Sequence, residues 1–380
     1  MARLWKWVGG VTVLLWMGLS WGEPPPHPPA GVLVSSPVTY PGQPVGELVV
    51  VQPALHQWDY QSPRTLRSAL EPSFQLAGVA TRARITVLPE YLGSWLVASG
   101  APDLAFSLDN NTSAMGLLVL LHPLDFLESW RNRAGPVPLS LESLPRFLFL
   151  MRREEILSGL DEVVGGLARD YHTWIVVGGT LLPHIQPDGH FQEGTLYNSA
   201  LVYDEGGGRV AQWHKTYPID AEKPFLDTMP PGQSGTIPTP LGALGALVCA
   251  DSWYPDSYRR LSGARVVMVG AFLSPASSWD EPWPGYNGFS APADVDGADV
   301  GTLTEGQAWE RYSLISRIRL SGSGFGGLAY AAGDLWDLSA GGDSALIQTT
   351  SSGEVVVTRV GRSGVGGVIL GEIPLPEVTD

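Results

Sequence analysis

Short apolar runs alternate with amphipathic stretches along most of the chain. A run of four to eight apolar residues is typical of a buried strand, whereas apolar residues spaced three and four apart are typical of a helix. The runs that predict strands are 46–51, 85–88, 174–177, 199–203, 244–248, 266–269, 328–331 and 344–349. The stretches that predict helices are 62–79, 152–169, 256–262 and 306–321. Strands that alternate with helices in this way indicate an α/β fold.

Two segments depart from this alternation. Residues 201–215, LVYDEGGGRVAQWHK, predict a hairpin that turns at its three glycines. They lack the lysine and the strand-to-helix setting of a phosphate-binding loop.

The segment at about 94–154 contains two apolar clusters, 115–121 and 147–151, each too short to cross a bilayer. We interpret it as an insertion that either packs on the domain or covers a site, as a lid or a membrane-facing surface.

The N-terminus has the pattern of an export signal followed by a tether. Arg3 and Lys6 precede an apolar run of about 15 residues, and Gly22 is suitably small for a signal-peptidase cut. Proline-rich sequence follows, which is typical of an extended linker. We therefore predict a signal peptide or N-terminal anchor at 1–22, a Pro-rich tether at 23–44 and one domain at 45–380. The expected location is outside the cytoplasm (periplasmic, cell-surface or secreted), with membrane anchoring by the N-terminal segment as the alternative.

Composition and charge limit the classes of partner. The 44% hydrophobic and 16% charged residues are ordinary for a globular protein. A formal net charge of −15 would repel phosphates, so we expect no nucleic-acid partner. The 14 tryptophans are read mainly as core residues, with sugar stacking as the alternative.

Cys249 is the only cysteine of the chain, and it ends the apolar run 244–248. A single cysteine cannot form an internal disulfide, although exported proteins often use them. It is therefore either an inert, buried small hydrophobe or a reactive thiol. Its surroundings have to decide between the two.

Two other strand ends carry groups that could activate a thiol. Glu90 follows the run 85–88 in VLPEYLG, and Lys215 ends the hairpin directly after His214. Residues just beyond strand ends line the ligand crevice of α/β sheets, so we expect these groups to meet Cys249. A thiol beside a base and a cation can act as a nucleophile. A pair of Cys249 with His214 is less favoured, because neighbouring residues of a strand point to opposite faces.

These segments resemble the nitrilase, or carbon–nitrogen hydrolase, superfamily, whose mark is a Glu-Lys-Cys triad in that chain order. The matching stretches are VVVQPALHQWDYQSPRTLRSA, VLPEYLG, GTLYNSALVYDEGGGRVAQWHKTYP, PGQSGTIPTPLGALGALVCADSWYPDSYRRLSGARVVMVG, WERYSLISRIRLSGSGFGGLAYAAG and GGDSALIQTTSSGEVVVTRVG. Three triad motifs in the family's order, each with its context, make the resemblance specific.

The resemblance implies an α-β-β-α sandwich, in which two mixed β-sheets are flanked by helices. It implies that Cys249 is the nucleophile, Glu90 the general base and acid, and Lys215 the stabiliser of the tetrahedral intermediate. Glu222, in KTYPIDAEKPF, matches a second, supporting glutamate of the family. No metal and no cofactor are implied. Ala250 departs from the better-known branches, which carry a larger side chain after the nucleophile.

The function expected from the resemblance is hydrolysis of a non-peptide C–N bond, most simply an amide, through a cysteine thioester. The expected partners are a small-molecule amide or nitrile and further copies of the chain in a homo-oligomer, with membrane proximity through the N-terminus or the insertion. One alternative is an envelope acyltransferase that resembles apolipoprotein N-acyltransferase. Others are a secreted glycosidase that uses the two carboxylates of Glu90 and Glu222, and a binding protein without activity.

Overall fold

Two mixed β-sheets pack face to face in the computed structural model, which describes residues 31–132, 140–229, 235–362 and 366–376. The first sheet has the strand order β1-β15-β2-β3-β4-β5-β6 and the second has the order β14-β13-β10-β9-β8-β7. Both contain parallel and antiparallel pairs, for example β2 with β3 and β4 with β5 in the first sheet. A small hairpin of β11 and β12 stands apart from them.

The strands of the described residues have the following bounds: β1 Val32–Ser35, β2 Val45–Gln52, β3 Arg84–Glu90, β4 Trp174–Leu182, β5 Tyr197–Tyr203, β6 Arg209–His214, β7 Ile237–Thr239, β8 Gly242–Val248, β9 Val266–Gly270, β10 Phe325–Ala329, β11 Gly333–Leu335, β12 Leu338–Ala340, β13 Ala345–Thr349, β14 Val355–Arg359 and β15 Gly367–Pro374. The α-helices are α1 Pro63–Ala77, α2 Asp103–Ser107, α3 Asn111–Leu121, α4 Pro123–Arg131, α5 Leu144–Met151, α6 Arg153–Leu160, α7 Gly166–Tyr171, α8 Pro255–Arg260, α9 Glu305–Tyr312 and α10 Leu314–Arg317.

The first sheet buries both of its faces, which explains its continuous apolar runs. Successive side chains of a strand point to opposite faces, so Val49 and Val51 of β2 join the core under the helices. Leu48 and Val50 of the same strand join the core shared with the second sheet. That second core continues to α8 and α9 beyond the second sheet. The layers are therefore helices, sheet, sheet and helices, which confirms the predicted sandwich.

Glycines allow the two sheets to approach closely next to the strand ends. A Cβ placed on Gly178 of β4 would lie 2.2 Å from the Cα of Gly270 in β9. A Cβ on Gly179 would lie 2.7 Å from the side chains of both Asn198 and Glu90. Any larger residue at these positions would push the sheets or the side chains apart.

The Gly178→Ala variant is expected to lose about 1–3 kcal/mol of free energy of unfolding, because the added methyl overpacks the interface between the sheets. Urea denaturation measures the loss. Gly116→Ala is the matched control, since a Cβ at this position of α3 meets nothing within 4 Å. Its stability should stay equal or rise by up to about 1 kcal/mol, because alanine favours a helix over glycine. Equal stability of the two variants would contradict the packing argument.

Most elements expected from the pattern are present, and several differ in extent. The strand expected at 328–331 is β10, which begins earlier at Phe325 and includes Gly326 and Gly327. A Cβ on Gly327 would lie within 3.0 Å of three side chains of neighbouring strands, so close packing requires glycine despite its low strand propensity. The helix expected at 306–321 is interrupted at Ser313 into α9, α10 and a 3-10 turn.

The expected tether at 23–44 is partly wrong. Val32–Ser35 forms β1, which pairs in parallel with β15 at the edge of the first sheet. Val38 and Tyr40 are buried, and the Tyr40 hydroxyl donates a hydrogen bond to the Thr349 carbonyl at 2.8 Å. The end of this segment is therefore packed, because an open sheet edge offers backbone partners to any extended chain. The predicted signal segment at 1–22 lies outside the described residues.

The segment expected as an insertion, at about 94–154, folds into four α-helices, α2 to α5, after a 3-10 turn at Ser94–Ala98. Phe106, Leu148 and Phe149 of this segment are buried in the core under the first sheet. Leu120, Leu124 and Leu141 are exposed. None of the helices in the described ranges combines the length and apolarity needed to cross a bilayer.

Candidate active site

Three strand ends converge at one edge of the sandwich. Glu90 is the last residue of β3, Lys215 directly follows β6, and Cys249 directly follows β8. The first two strands belong to one sheet and the third to the other. The structure thus brings together the three residues that the strand-end pattern singled out, and it adds Glu222 from the loop after β6.

The Lys215 ammonium lies between two carboxylates. Its Nζ is 2.9 Å from Oε1 of Glu90 and 2.8 Å from Oε2 of Glu222. All three side chains are at most 2% exposed. A buried charge is tolerated only when it is paired and hydrogen-bonded, and each of these three charges is.

The three charged groups shift one another's pKa values. Burial alone would lower the pKa of Lys215, but Glu222 and Glu90 raise it well above its usual value. Burial raises the pKa of Glu90, Lys215 acts against this, and the charge of Glu222 adds to it. Burial would also raise the pKa of Glu222, but Lys215 and hydrogen bonds from Tyr91 and the Ile219 amide lower it. Lys215 therefore stays charged, Glu222 is its anionic partner, and Glu90 is the carboxylate that takes up a proton more readily.

Cys249 is held in a constrained position at the start of a 3-10 turn, Cys249–Trp253. Its φ of 44° is in the left-handed region, which is rare for a residue other than glycine. The residue is 8% exposed, and its sulfur lies 4.0 Å from the Phe272 carbonyl oxygen. Burial and then Glu90 raise the pKa of the thiol well above its usual value. The thiol is therefore protonated at rest, and it needs a base at the moment of attack.

Glu90 is the candidate for that base. It lines the same cavity as Cys249, and burial raises the pKa of its carboxyl, so that it can take up a proton. The left-handed backbone at Cys249 is strained, and such a conformation persists only where the surrounding structure imposes it. Here the buried β8 and its parallel pairing with β9 fix the backbone up to Val248.

Asn198 and Tyr91 complete the network, and the sequence patterns did not single out either of them. The Asn198 amide donates to Oε1 of Glu90 at 2.8 Å and to Oε1 of Glu222 at 3.0 Å. The Tyr91 hydroxyl donates a short hydrogen bond to the same oxygen of Glu222. Asn198 lies inside β5, and Tyr91 follows β3 with a left-handed φ of 62° that the sequence does not reveal. Their only sequence signal is a polar side chain beside a buried run.

Asp251 ties the cysteine turn to the lysine loop. Its carboxylate accepts hydrogen bonds from the Thr216 amide at 3.0 Å and from the Tyr217 amide at 2.8 Å. These bonds join the residues that follow Lys215 to those that follow Cys249. Asp251 therefore positions backbone, because its oxygens accept from the amides of the two residues that follow Lys215.

His214 takes no part in this network. Its Nδ1 is 2.8 Å from the Ser199 hydroxyl and its Nε2 is 3.0 Å from Nδ1 of His184. Burial, and then His184, lower the pKa of His214 to about 3, so its ring is neutral at ordinary pH. Both ring nitrogens are engaged away from Cys249, which agrees with the sequence argument against a Cys–His pair.

A cavity of about 760 Å³ opens onto the catalytic candidates. Its lining includes Glu90, Lys215, Glu222, Cys249 and the small Ala250. Residues of the 94–154 segment form one side, among them Trp95, Asn111, Met115, Leu144 and Phe149. This segment therefore closes over the site. Such a volume is in the range of pockets that bury a drug-sized ligand.

The positions of the two glutamates bear on the glycosidase alternative. Glu90 and Glu222 both bind the same ammonium and the same Asn198 amide, which fill the space between them. The ammonium and the amide occupy the space in which a two-carboxylate glycosidase would hold the sugar, so this geometry does not support the glycosidase alternative. Within the described ranges, no three His, Cys, Asp or Glu side chains form a group that could hold a metal ion.

Comparison with known families gives a match over the centre of the chain. Residues 142–293 match the carbon–nitrogen hydrolase family. The matched region contains Lys215, Glu222 and Cys249, whereas Glu90 lies before it. The match confirms the resemblance drawn from the sequence over this region, since residues 142–293 are similar to the carbon–nitrogen hydrolase family.

Two curated relatives match parts of the chain. Deaminated glutathione amidase from Yersinia enterocolitica is 30% identical over 123 residues, which are 30% of this chain and 41% of the relative. Pantetheinase from Mus musculus is 37% identical over 73 residues, which are 19% of this chain and 13% of the relative. The chain thus spans less than half the length of both relatives.

Solved structures match over nearly the whole chain. One is an amidase variant from Nesterenkonia sp. AN1 that shows covalent addition of the acetamide moiety of fluoroacetamide at its active-site cysteine. It has a TM-score of 0.51 and 17% identity, and the match covers 89% of this chain and 94% of that one. A second variant of the same amidase, in complex with acrylamide, has a TM-score of 0.50 and 15% identity, with 88% and 93% covered. At this identity the likeness establishes the fold.

Proposed function

We propose that this protein hydrolyses the C–N bond of a small-molecule amide through a thioester on Cys249. The observation that carries the proposal is the buried Lys215 ammonium, 2.9 Å from Glu90 and 2.8 Å from Glu222, in the cavity that Cys249 also lines. A base, a fixed cation and a thiol around one cavity are the parts that acyl transfer needs.

The first half of the reaction forms the thioester. The Cys249 sulfur attacks the amide carbon while Glu90 accepts the thiol proton. Negative charge develops on the carbonyl oxygen, where the Lys215 ammonium stabilises it. The turn that starts at Cys249 also leaves its first amides without acceptors inside the turn, so they can serve as further donors. The C–N bond then breaks, and Glu90 returns the proton to the leaving nitrogen.

The second half releases the acid. A water molecule attacks the thioester carbon while Glu90 again accepts a proton. The C–S bond breaks, the proton returns to the sulfur, and a carboxylic acid leaves the cavity. Glu90 thus needs to exchange protons in both halves, which suits a carboxyl whose pKa burial has raised. Glu222 keeps its negative charge throughout and holds Lys215 in place.

One curated relative and the size of the cavity both favour an amide over a nitrile as the substrate. The Yersinia relative is a deaminated glutathione amidase. The cavity of about 760 Å³ has room for an acyl group and an amine on the two sides of the bond. Export through residues 1–22 and assembly into a homo-oligomer stay predictions from the sequence.

Intact-protein mass spectrometry tests the thioester. Wild-type protein and Cys249→Ala are incubated with a panel of amides, and their masses are recorded during turnover. Wild type should gain the mass of the acyl group of each substrate, whereas Cys249→Ala should gain nothing and release no amine. Circular dichroism of Cys249→Ala checks that the fold is kept. Release of amine at an equal rate by both proteins would refute the cysteine mechanism.

A further inference from the structure

The cavity extends well beyond the groups that the reaction uses. Its far wall is built from the cysteine turn, the loop before α9 and α9 itself. Trp253, Trp283, Tyr286 and Trp309 line it. The Trp253 ring centroid lies 4.9 Å from that of Trp309 and 5.5 Å from that of Trp283. Tyr286 packs edge-on against Trp253 at 5.6 Å. A substrate that reaches this wall meets aromatic side chains that hold one another in place.

Negative charges outnumber positive ones along the cavity. Four carboxylates line it, those of Glu90, Glu222, Glu281 and Glu305. Among the residues that the structure describes around the cavity, Lys215 is the only cation. Its charge is already matched by Glu90 and Glu222. The remaining charge on the substrate side is therefore negative, and it comes from Glu281 and Glu305.

Glu305 is the more buried of these two carboxylates. It is the first residue of α9, and its amide donates to the Glu281 carbonyl at 2.9 Å, so the two acids lie on adjoining backbone. Within the described part of the chain Glu305 makes no ion pair. Burial raises the pKa of Glu305 to about 7, with only the Trp309 side chain acting against it. An acid in such a setting gains from a cation that enters with the substrate.

Glu305 also shares a neighbour with the catalytic residues. Tyr330 is fully buried and packs edge-on against Trp309, with ring centroids 5.3 Å apart. Burial, and then the charges of Cys249, Glu305 and Glu90, raise the pKa of Tyr330. Glu305 and Cys249 both line this one cavity.

We propose that the substrate amide carries a cationic group, which Glu305 and Glu281 bind against the aromatic wall of the cavity. The proposal rests on the proposed function and names the substrate class of the same site. Aromatic faces attract ammonium groups through their negative quadrupole, and a nearby carboxylate supplies the matching charge. A substrate with a carboxylate in this position would be repelled, and among the described residues that line the cavity it would find no unpaired arginine or lysine to replace its lost hydration.

Affinity labelling of Cys249 tests the proposal without requiring turnover. The probes are chloroacetamides whose amide nitrogen carries either a trimethylammonium group, its neutral tert-butyl isostere or a carboxylate, on spacers of two and five carbons. The sulfur displaces chloride, and intact-mass measurements on the full chain give the rate. Each rate is divided by that of the same probe with 2-mercaptoethanol, which removes intrinsic reactivity. The cationic probe should react about tenfold faster than the neutral isostere, and the carboxylate probe should be slowest.

The variant Glu305→Gln should lower the ratio of cationic to neutral labelling towards one. Glu310→Gln is the matched control: it lies on the same helix, is exposed and pairs with Arg359 at 2.8 Å, outside the cavity. It should keep the wild-type ratio. The inference is overturned if the neutral probe reacts as fast as the cationic one, if Glu305→Gln keeps the ratio, or if no probe labels Cys249. Charge-selective labelling of a protein that turns over no amide would support this binding site and refute the proposed function.

Discussion

The Glu90→Gln variant is expected to hydrolyse its amide about 10³-fold more slowly than wild type, because both halves of the reaction pass a proton through this carboxylate. Glutamine has the same shape and can still accept a hydrogen bond from Lys215, so the fold should be kept. The thiol has a pKa well above its usual value, and without Glu90 it has no base to take its proton. The measurement is kcat/KM for amine release, followed as a function of pH.

The pH profile separates the role of Glu90 as a base from a structural role. Wild-type kcat/KM should rise with pH as Glu90 ionises, at a pH above that of an ordinary glutamate, since burial raises its pKa. The residual activity of Glu90→Gln should lack this rise. Glu47→Gln is the matched control, since Glu47 on the neighbouring β2 accepts from Arg84 at 2.6 Å, away from the cavity. A profile of Glu90→Gln that keeps the rise would refute the assignment of Glu90 as the base.

The Lys215→Met variant is expected to lose about 3–5 kcal/mol of free energy of unfolding at pH 7, because it leaves two buried carboxylates without their cation. Lys215 and both of its partners are at most 2% exposed, so water cannot take over the role of the ammonium. Catalysis should fall by about 10²-fold or more, since the developing oxyanion loses its charged donor. Urea denaturation and amine release measure the two effects.

The stability loss of Lys215→Met should depend on pH in a defined direction. Without the ammonium, burial holds the pKa values of Glu90 and Glu222 above those of the unfolded chain, where glutamate titrates near about 4.3. A carboxyl whose pKa is higher in the folded than in the unfolded state stabilises the folded state at low pH. This contribution to the free energy of unfolding is lost as the pH rises through the pKa of the folded state. The difference from wild type should therefore be smaller at pH 5 than at pH 7.

Lys223→Met is the matched control for the same chemical change. Lys223 is 40% exposed and pairs with Asp220 at 3.0 Å, and such surface pairs contribute less than about 1 kcal/mol. Its loss should be small and independent of pH between 5 and 7. If Lys215→Met were no less stable than Lys223→Met, the buried ammonium would not be the element that holds the two carboxylates.

Sequence patterns could not identify the site residues that lie inside a strand or a turn. Asn198 lies inside β5, and its partners Glu90 and Glu222 are 108 and 24 residues away. Tyr91 is next to Glu90 in the chain but binds Glu222, 131 residues further on. Glu305 follows an ordinary helix cap at Thr304, and its burial comes from other segments. Local patterns report a residue's own element, and these roles depend on what packs against it.

The edges of the fold show the same limit. The strand β1 falls in sequence that reads as a linker, and it became a strand because β15, more than 330 residues later, offers an open edge. The break of the helix expected at 306–321 occurs at Ser313, which is buried and binds the Trp309 carbonyl. In both places tertiary contacts outweigh local propensity.

From the sequence alone we predicted the alternation of strands and helices, the family resemblance, and the three strand ends that carry Glu90, Lys215 and Cys249. This was possible because apolar periodicity is local and because a strand end is visible where an apolar run stops. Only the tertiary structure decided that these ends meet across two sheets, that Lys215 lies between two carboxylates, and that an acidic, aromatic cavity covers the thiol. These features depend on distances between residues far apart in the chain, and burial, which sets their pKa values, exists only after the chain has folded.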